Sequence, residues 1–158
     1  KTPLNVVASM RKNEAINAMR ILRVPEPSLI FLGLPDAGVY EKINVLVDKL
    51  REILLKFRPD IIYCPSSLDE HEDHRATYLA LKRALNTVKL NKKIIVRYYT
   101  IWGRNSGNIK KFVLDEETIN IKIRALKAYK SQMELLGEEF FSRFMKPYEC
   151  FIEEIIDV

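Results

Sequence analysis

A short stretch at residues 60–64, apolar from Ile61 to Cys64, is the feature that most constrains the fold of this chain, and it lies between two amphipathic helical patterns. A continuous run of this length, closed by Pro65, is typical of a strand buried on both faces of a sheet. Apolar residues recur at helical spacing from about residue 41 to 57 before the run and from about 72 to 88 after it. This pattern predicts a strand whose neighbouring helices cover the sheet.

The same alternation extends along the rest of the chain. Further predicted helices cover residues 8–22 (with Ser9 as a cap), 115–132 and 138–144, and further predicted strands cover residues 29–32, 94–99, 111–114 and 151–156. Short connections between alternating helices and strands predict parallel strands joined by right-handed crossovers, in a three-layer α/β/α fold with a mostly parallel sheet. The length of 158 residues fits a single domain over residues 1–158.

The charge of the chain is a small basic excess, +5 from 26 basic and 21 acidic residues. Because the lysines and arginines are interspersed with glutamates, we expect a solvated surface and no nucleic-acid partner; a polyanion-binding α/β domain is the alternative. No apolar stretch approaches the roughly 18 residues that cross a bilayer, so we expect no membrane span. The two cysteines form no closely spaced framework, which favours a reduced, cytoplasmic protein.

Both histidines of the chain, His71 and His74, lie three residues apart within a run of four carboxylates that directly follows the strand at residues 60–64. Side chains at this spacing near a helix start can point the same way, and Asp73 between them is the natural carboxylate to orient an imidazole. The alternative is a charged helix start, where acidic residues interact favourably with the helix dipole. Because ligands of such sheets bind beyond the carboxyl ends of the strands, the position favours a metal or catalytic site.

Other residues near this cluster allow two interpretations each. Cys64 could pair with a histidine on a metal, although lone cysteines usually pack as small hydrophobes. Asp69 and Glu70 could serve as ligands or as a base, although acidic residues before a helix are ordinarily solvated caps. Trp102 could stack on a sugar ring or pack against the sheet.

Five stretches of the sequence, taken together and in order, carry a family resemblance. They are Arg11-Lys12-Asn13-Glu14-Ala15; Phe31-Leu32-Gly33-Leu34-Pro35-Asp36; residues 59–65 followed by His71-Glu72-Asp73-His74-Arg75-Ala76; Lys127-Ala128-Tyr129-Lys130-Ser131-Gln132; and Tyr148-Glu149-Cys150-Phe151. This set resembles the LmbE-like (PIG-L) zinc de-N-acetylases over about residues 11–151.

The resemblance implies a Rossmann-like fold and a hydrolase that removes the acetyl group of N-acetylglucosamine-type substrates with a zinc-bound water. His74 would then be a ligand of zinc or another divalent metal, and His71 and Asp73 would be the catalytic histidine and the aspartate that orients it. Arg11 and Asp36 resemble positions that hold the N-acetylated amino sugar or glycoconjugate. Members of the family often associate, so the resemblance allows a homo-oligomer, although the sequence does not define the oligomeric state.

Two departures from the family pattern affect these expectations. Glu72 stands where the family more often has proline, and an exposed helix start tolerates it. The family's A-H-P-D-D-E signature, which supplies a histidine ligand, an aspartate ligand and the aspartate base, has no counterpart in this chain. We therefore expect an N-terminally truncated domain that is inactive by itself. The alternative is a non-catalytic carbohydrate-binding or assembly module that keeps the fold.

Overall fold

A computed structural model describes residues 3–158, so Lys1 and Thr2, with which the predicted domain begins, lie outside the described residues. The helices are α1 (Leu4–Ile21), α2 (Ile43–Phe57), α3 (Glu72–Leu85), α4 (Glu116–Leu126), α5 (Lys130–Leu136) and α6 (Glu138–Ser142), with short 3₁₀ turns at Glu26–Ser28 and Tyr40–Lys42. The strands are β1 (Ile61–Pro65), β2 (Lys93–Tyr99), β3 (Ile109–Val113) and β4 (Tyr148–Asp157). The predicted combination of helices with a sheet is thus confirmed.

The chain divides into two compact units. Residues 3–31 and 112–149 belong to the first unit, and residues 32–111 and 150–158 belong to the second. The single domain over residues 1–158 stays a prediction.

The sheet has four strands in the order β1-β2-β4-β3. β1 runs parallel to β2, with Cys64 opposite Tyr98, whereas β4 runs antiparallel to β2, with Glu153 opposite Arg97. The sheet is mostly antiparallel, so the prediction of a mostly parallel sheet is wrong. Apolar runs indicate that a strand is buried but carry no information on its direction, and β4 returns beside β2 only after three intervening helices.

The predicted strand at residues 29–32 does not form. These residues have no regular secondary structure and pair with none of the four strands, and the side chains of Ile30 and Phe31 are 51% and 46% exposed. A strand needs a hydrogen-bonded neighbour, and the apolar run alone does not provide one.

Two helix predictions are corrected in their bounds. The first helix begins at Leu4, with Pro3 as its N-cap, so Ser9 lies inside the helix. The predicted helix over residues 115–132 is interrupted between Leu126 and Lys130, where Tyr129 has a non-helical ψ of 59°. Asp115 caps α4 by accepting the Thr118 backbone N–H at 2.7 Å.

The core of the second unit lies between the sheet and the helices α2 and α3. Alternate residues of β2 point into this core, so that Ile94 and Val96 are fully buried, while Leu54 of α2 is only 3% exposed. The hydroxyl of the buried Tyr98 donates to Glu154 of β4 at 2.7 Å, and Lys82 of α3 donates to the same carboxylate at 2.8 Å. These contacts fix α3 against the sheet and thereby fix where the helix begins.

β1 lies at one edge of the sheet. On this strand, Ile61 and Tyr63 are 42% and 52% exposed.

Among residues 3–158, no helix is long and apolar enough to cross a membrane.

Candidate active site

His71 and His74 lie together at the start of α3, just beyond the carboxyl end of β1. His71 is the N-cap residue, and its imidazole Nδ1 accepts the Asp73 backbone N–H at 3.2 Å, which satisfies one of the free donors of the first turn. His74 follows within that turn, and the centroids of the two rings are 4.8 Å apart. The two imidazoles therefore lie side by side, as their spacing in the sequence predicted.

Asp69, in the loop between β1 and α3, lies at the centre of the contacts around the two histidines. Its side chain is buried, with the whole residue 1% exposed, so of its two interpretations the solvated cap is wrong. Oδ1 accepts the His71 backbone N–H at 2.9 Å, and Oδ2 accepts the N–H groups of Ile101 and Trp102 at 2.7 and 3.2 Å. Oδ1 also lies 3.0 Å from Nδ1 of His74.

The electrostatics of Asp69 favour its charged form. Burial acts to raise the pKa of this carboxyl, but the three backbone N–H donors and the neighbouring His74 outweigh burial and lower its pKa. The carboxylate is therefore a fixed negative charge beneath the two imidazoles. The sequence signal that could have identified it is an aspartate two residues before His71, in the loop that directly follows a buried strand.

The Asp73 carboxylate is placed differently from the sequence expectation. Its two oxygens accept the backbone N–H groups of Ala37 at 2.7 Å and Val39 at 3.1 Å, so they hold the loop before α2. The contact of Asp73 with His71 is made by the backbone N–H instead.

The two predicted substrate-binding residues lie in different units. Asp36 belongs to the second unit and is exposed in the loop that Asp73 holds, directly before Ala37, which has a left-handed φ of 55°. Arg11 is half-buried on α1 in the first unit.

Two of the family-like stretches meet within the first unit. The Glu14 carboxylate of α1 accepts the backbone N–H and the hydroxyl of Ser131 of α5, both at 2.7 Å. The contact joins the Arg11–Glu14 stretch to the stretch that ends at Gln132.

Cys64 and the backbone of Trp102 have structural contacts, whereas stacking of the Trp102 ring on a sugar stays a prediction. Cys64 is buried in the core of the second unit, and burial raises the pKa of its thiol to about 12, which disfavours the thiolate that binds metals. The Trp102 backbone binds the histidine loop, since its N–H donates to Asp69 and its carbonyl accepts the Glu70 N–H at 3.1 Å.

The side chains around His74 fit part of a zinc site. A carboxylate on Nδ1 leaves the Nε2 of an imidazole available to a metal, which is the arrangement of His74 and Asp69. Within residues 3–158, however, no three histidine, cysteine or acidic side chains are grouped closely enough to hold a metal ion. A structural or catalytic zinc needs at least three protein ligands, so the described residues fit one ligand position and not a complete site.

Three comparisons with known proteins bear on the family and the fold of the chain. No curated protein sequence matches the chain. The solved structure of teicoplanin deacetylase in its zinc-inhibited form is similar, with a TM-score of 0.70 and 20% identity, over 96% of this chain and 75% of that one. A conserved protein from Thermus thermophilus has a TM-score of 0.68 and 22% identity, over 100% of this chain and 76% of that one.

These structural likenesses establish the fold. At the sequence level, a family described as the PIG-L, GlcNAc-PI de-N-acetylases matches residues 2–85, more than half of the chain and the part that contains both histidines and Asp69. The chain belongs to the PIG-L (LmbE-like) family of de-N-acetylases.

Proposed function

We propose that this protein is a zinc-dependent hydrolase that removes the acetyl group from an N-acetylglucosamine-type amino sugar. The observation that carries the proposal is the pair of imidazoles at the start of α3, 4.8 Å apart and lying over a buried carboxylate, inside the matched region. The description of the family and the fold shared with teicoplanin deacetylase support an amide substrate.

In the reaction, water adds to the acetyl carbonyl, the C–N bond breaks, and the amine nitrogen takes up a proton. His71 is the residue of this chain suited to assist at the carbonyl, because its Nδ1 accepts a backbone N–H and its Nε2 can donate to the oxygen as charge develops there. Asp73 supports this geometry through its backbone N–H, and its carboxylate holds the loop of Asp36. Arg11 and Asp36 are our candidates for contacts with the sugar.

Zinc is the proposed cofactor, with His74 as one ligand. The support is the contact of Asp69 with Nδ1 of His74, because an imidazole held at Nδ1 has Nε2 as its metal-binding nitrogen. We expect Zn²⁺ to bind this chain weakly by itself, because the described residues supply one ligand position, and we expect His74→Ala to abolish the binding. Calorimetric titration measures both, and tight equimolar binding that survives His74→Ala would remove His74 from the ligand set.

We place this activity in the cytoplasm, because both cysteines are free thiols.

The test is acetate release from a panel of N-acetylglucosaminides with added divalent metal, performed on the full-length gene product, because the described residues alone do not complete a metal site. His71→Gln should lower kcat/KM by about 10²- to 10³-fold, the usual loss on removing a group that stabilises developing charge. Glu72→Gln is the matched control, because Glu72 lies between the two histidines in the sequence and is exposed. Binding of these sugars without acetate release would favour the carbohydrate-binding module instead.

A further inference from the structure

In the two imidazoles of the candidate site, Nδ1 faces chemically opposite partners, a hydrogen-bond donor in one ring and an acceptor in the other. Nδ1 of His71 faces a hydrogen-bond donor, the Asp73 backbone N–H at 3.2 Å. Nδ1 of His74 faces an acceptor, the Asp69 carboxylate at 3.0 Å. A neutral imidazole carries one proton, and the partner of one nitrogen decides which nitrogen holds it.

For His71, the assignment follows from the backbone. A nitrogen that accepts an N–H has its lone pair directed at the donor, so Nδ1 of His71 carries no proton. The proton of the neutral ring is therefore on Nε2, where it can be donated to a ligand.

For His74, the assignment follows from charge. Its Nδ1 is buried and makes no well-aligned hydrogen bond within the described residues, yet the contact with Asp69 has hydrogen-bond length. An unprotonated Nδ1 would direct its lone pair at a buried negative charge, which is repulsive in a region of low dielectric. A proton on Nδ1 turns the same contact into an attraction and leaves the Nε2 lone pair free.

We propose that Asp69 is a positioning residue that holds His74 in the Nδ1–H tautomer, while the Asp73 backbone N–H holds His71 in the Nε2–H tautomer. The pair thus presents two complementary groups, a lone pair on His74 and an N–H on His71. The first suits a Lewis acid or a hydrogen-bond donor, and the second suits a carbonyl oxygen. Only the use of that oxygen as an acetyl carbonyl rests on the proposed function.

The contacts of Asp69 predict what an asparagine would do at this position. Oδ2 of Asp69 accepts two backbone N–H groups, whereas Oδ1 accepts one and contacts His74. The amide nitrogen of asparagine should therefore take the Oδ1 position, where it opposes a single N–H. There it would donate to Nδ1 of His74 and reverse the tautomer.

The experiment is long-range ¹H–¹⁵N correlation NMR of the ¹⁵N-histidine-labelled protein without metal, at a pH of about 8.5, well above the ordinary imidazole pKa of about 6.5. In the wild type, we expect the proton of His74 on Nδ1 and that of His71 on Nε2. Asp69→Asn should move the proton of His74 to Nε2 and leave His71 unchanged, because the donor to His71 belongs to the backbone.

Asp73→Asn is the matched control, since it changes a neighbouring carboxylate without altering either Nδ1 contact, and both tautomers should persist. A wild-type His74 with its proton on Nε2 overturns the proposal, and this reading needs no variant to fold. A folded Asp69→Asn protein with His74 unchanged overturns the role of Asp69. Acetate release is measured separately on the full-length gene product, so the expected tautomers together with an inactive full-length protein contradict the proposed function and not this inference.

Discussion

The Glu14 carboxylate accepts two hydrogen bonds from Ser131, one from its backbone N–H and one from its hydroxyl, both at 2.7 Å. The two residues are 117 positions apart in the sequence, and the bonds are partly buried. A single glutamate thereby joins α1 to the start of α5 in the first unit.

Ser131→Ala should lower the free energy of unfolding by about 1.5 kcal/mol, because it removes a hydrogen bond to a charged group. Urea unfolding measures the change. Asn17→Ala on the same helix as Glu14 is the control, since Asn17 is exposed and accepts an exposed hydrogen bond from Arg20, and it should change stability by less than about 0.5 kcal/mol. Equal effects of the two substitutions would contradict the stabilising role of the Glu14 contact.

Asp73→Ala should release the loop that contains Ala37 and Val39. The carboxylate accepts both of their N–H groups, and the loss of about 1.4 kcal/mol in local stability speeds amide exchange about tenfold. Hydrogen exchange followed by NMR measures the two rates. Asp48→Ala removes an exposed carboxylate of α2 and should leave these rates unchanged; unaltered exchange in Asp73→Ala would contradict the loop contact.

Glu154 should make the second unit sensitive to acid. Burial acts to raise the pKa of this carboxyl, but hydrogen bonds from Lys82 and Tyr98 outweigh burial and lower its pKa. A carboxyl whose pKa is lower in the folded state contributes stability above its unfolded pKa, about 4.3 for glutamate, and that contribution is lost as the pH falls through the folded pKa.

Glu154→Gln should therefore be less stable than the wild type near neutral pH, and the difference should shrink as the pH falls below about 4.3. Urea unfolding over this pH range measures both proteins. A difference in stability that stays constant at every pH would show that the charge of Glu154 contributes nothing.

Neighbouring leucines of α2 offer a matched test of the core. Leu54 is 3% exposed and Leu55 is 52% exposed, so the two differ in burial but share a helix and a side chain. Leu54→Ala should cost about 2–5 kcal/mol and Leu55→Ala less than about 0.5 kcal/mol in chemical unfolding. Similar costs would contradict the placement of the core between α2, α3 and the sheet.

Helices and strands were predicted correctly from the sequence where the residues that determine them lie within the same segment. Helices α2 and α3 and strands β1 and β2 begin close to where the pattern indicated, because apolar spacing and prolines act within the segment itself. The unformed strand at residues 29–32 and the antiparallel course of β4 depend on pairing partners far away in the sequence, which the pattern does not encode.

The residues of the candidate site show the same distinction between local and distant determinants. The proximity of His71 and His74 follows from their spacing at a helix start. The burial of Asp69 depends on the N–H groups of Ile101 and Trp102, more than thirty residues later, and on the parallel pairing that brings the ends of β1 and β2 together. No local pattern distinguishes such an aspartate from a solvated cap.

The burial of the Asp69 carboxylate also has a mechanical consequence. Because it is hydrogen-bonded to the loop after β1 and to the loop after β2, neither loop can shift without stretching bonds to a charge that has no access to water. We therefore expect the two loops to move together. A molecule that binds against Trp102 and displaces its backbone should therefore also displace the two imidazoles, because the Asp69 side chain connects them.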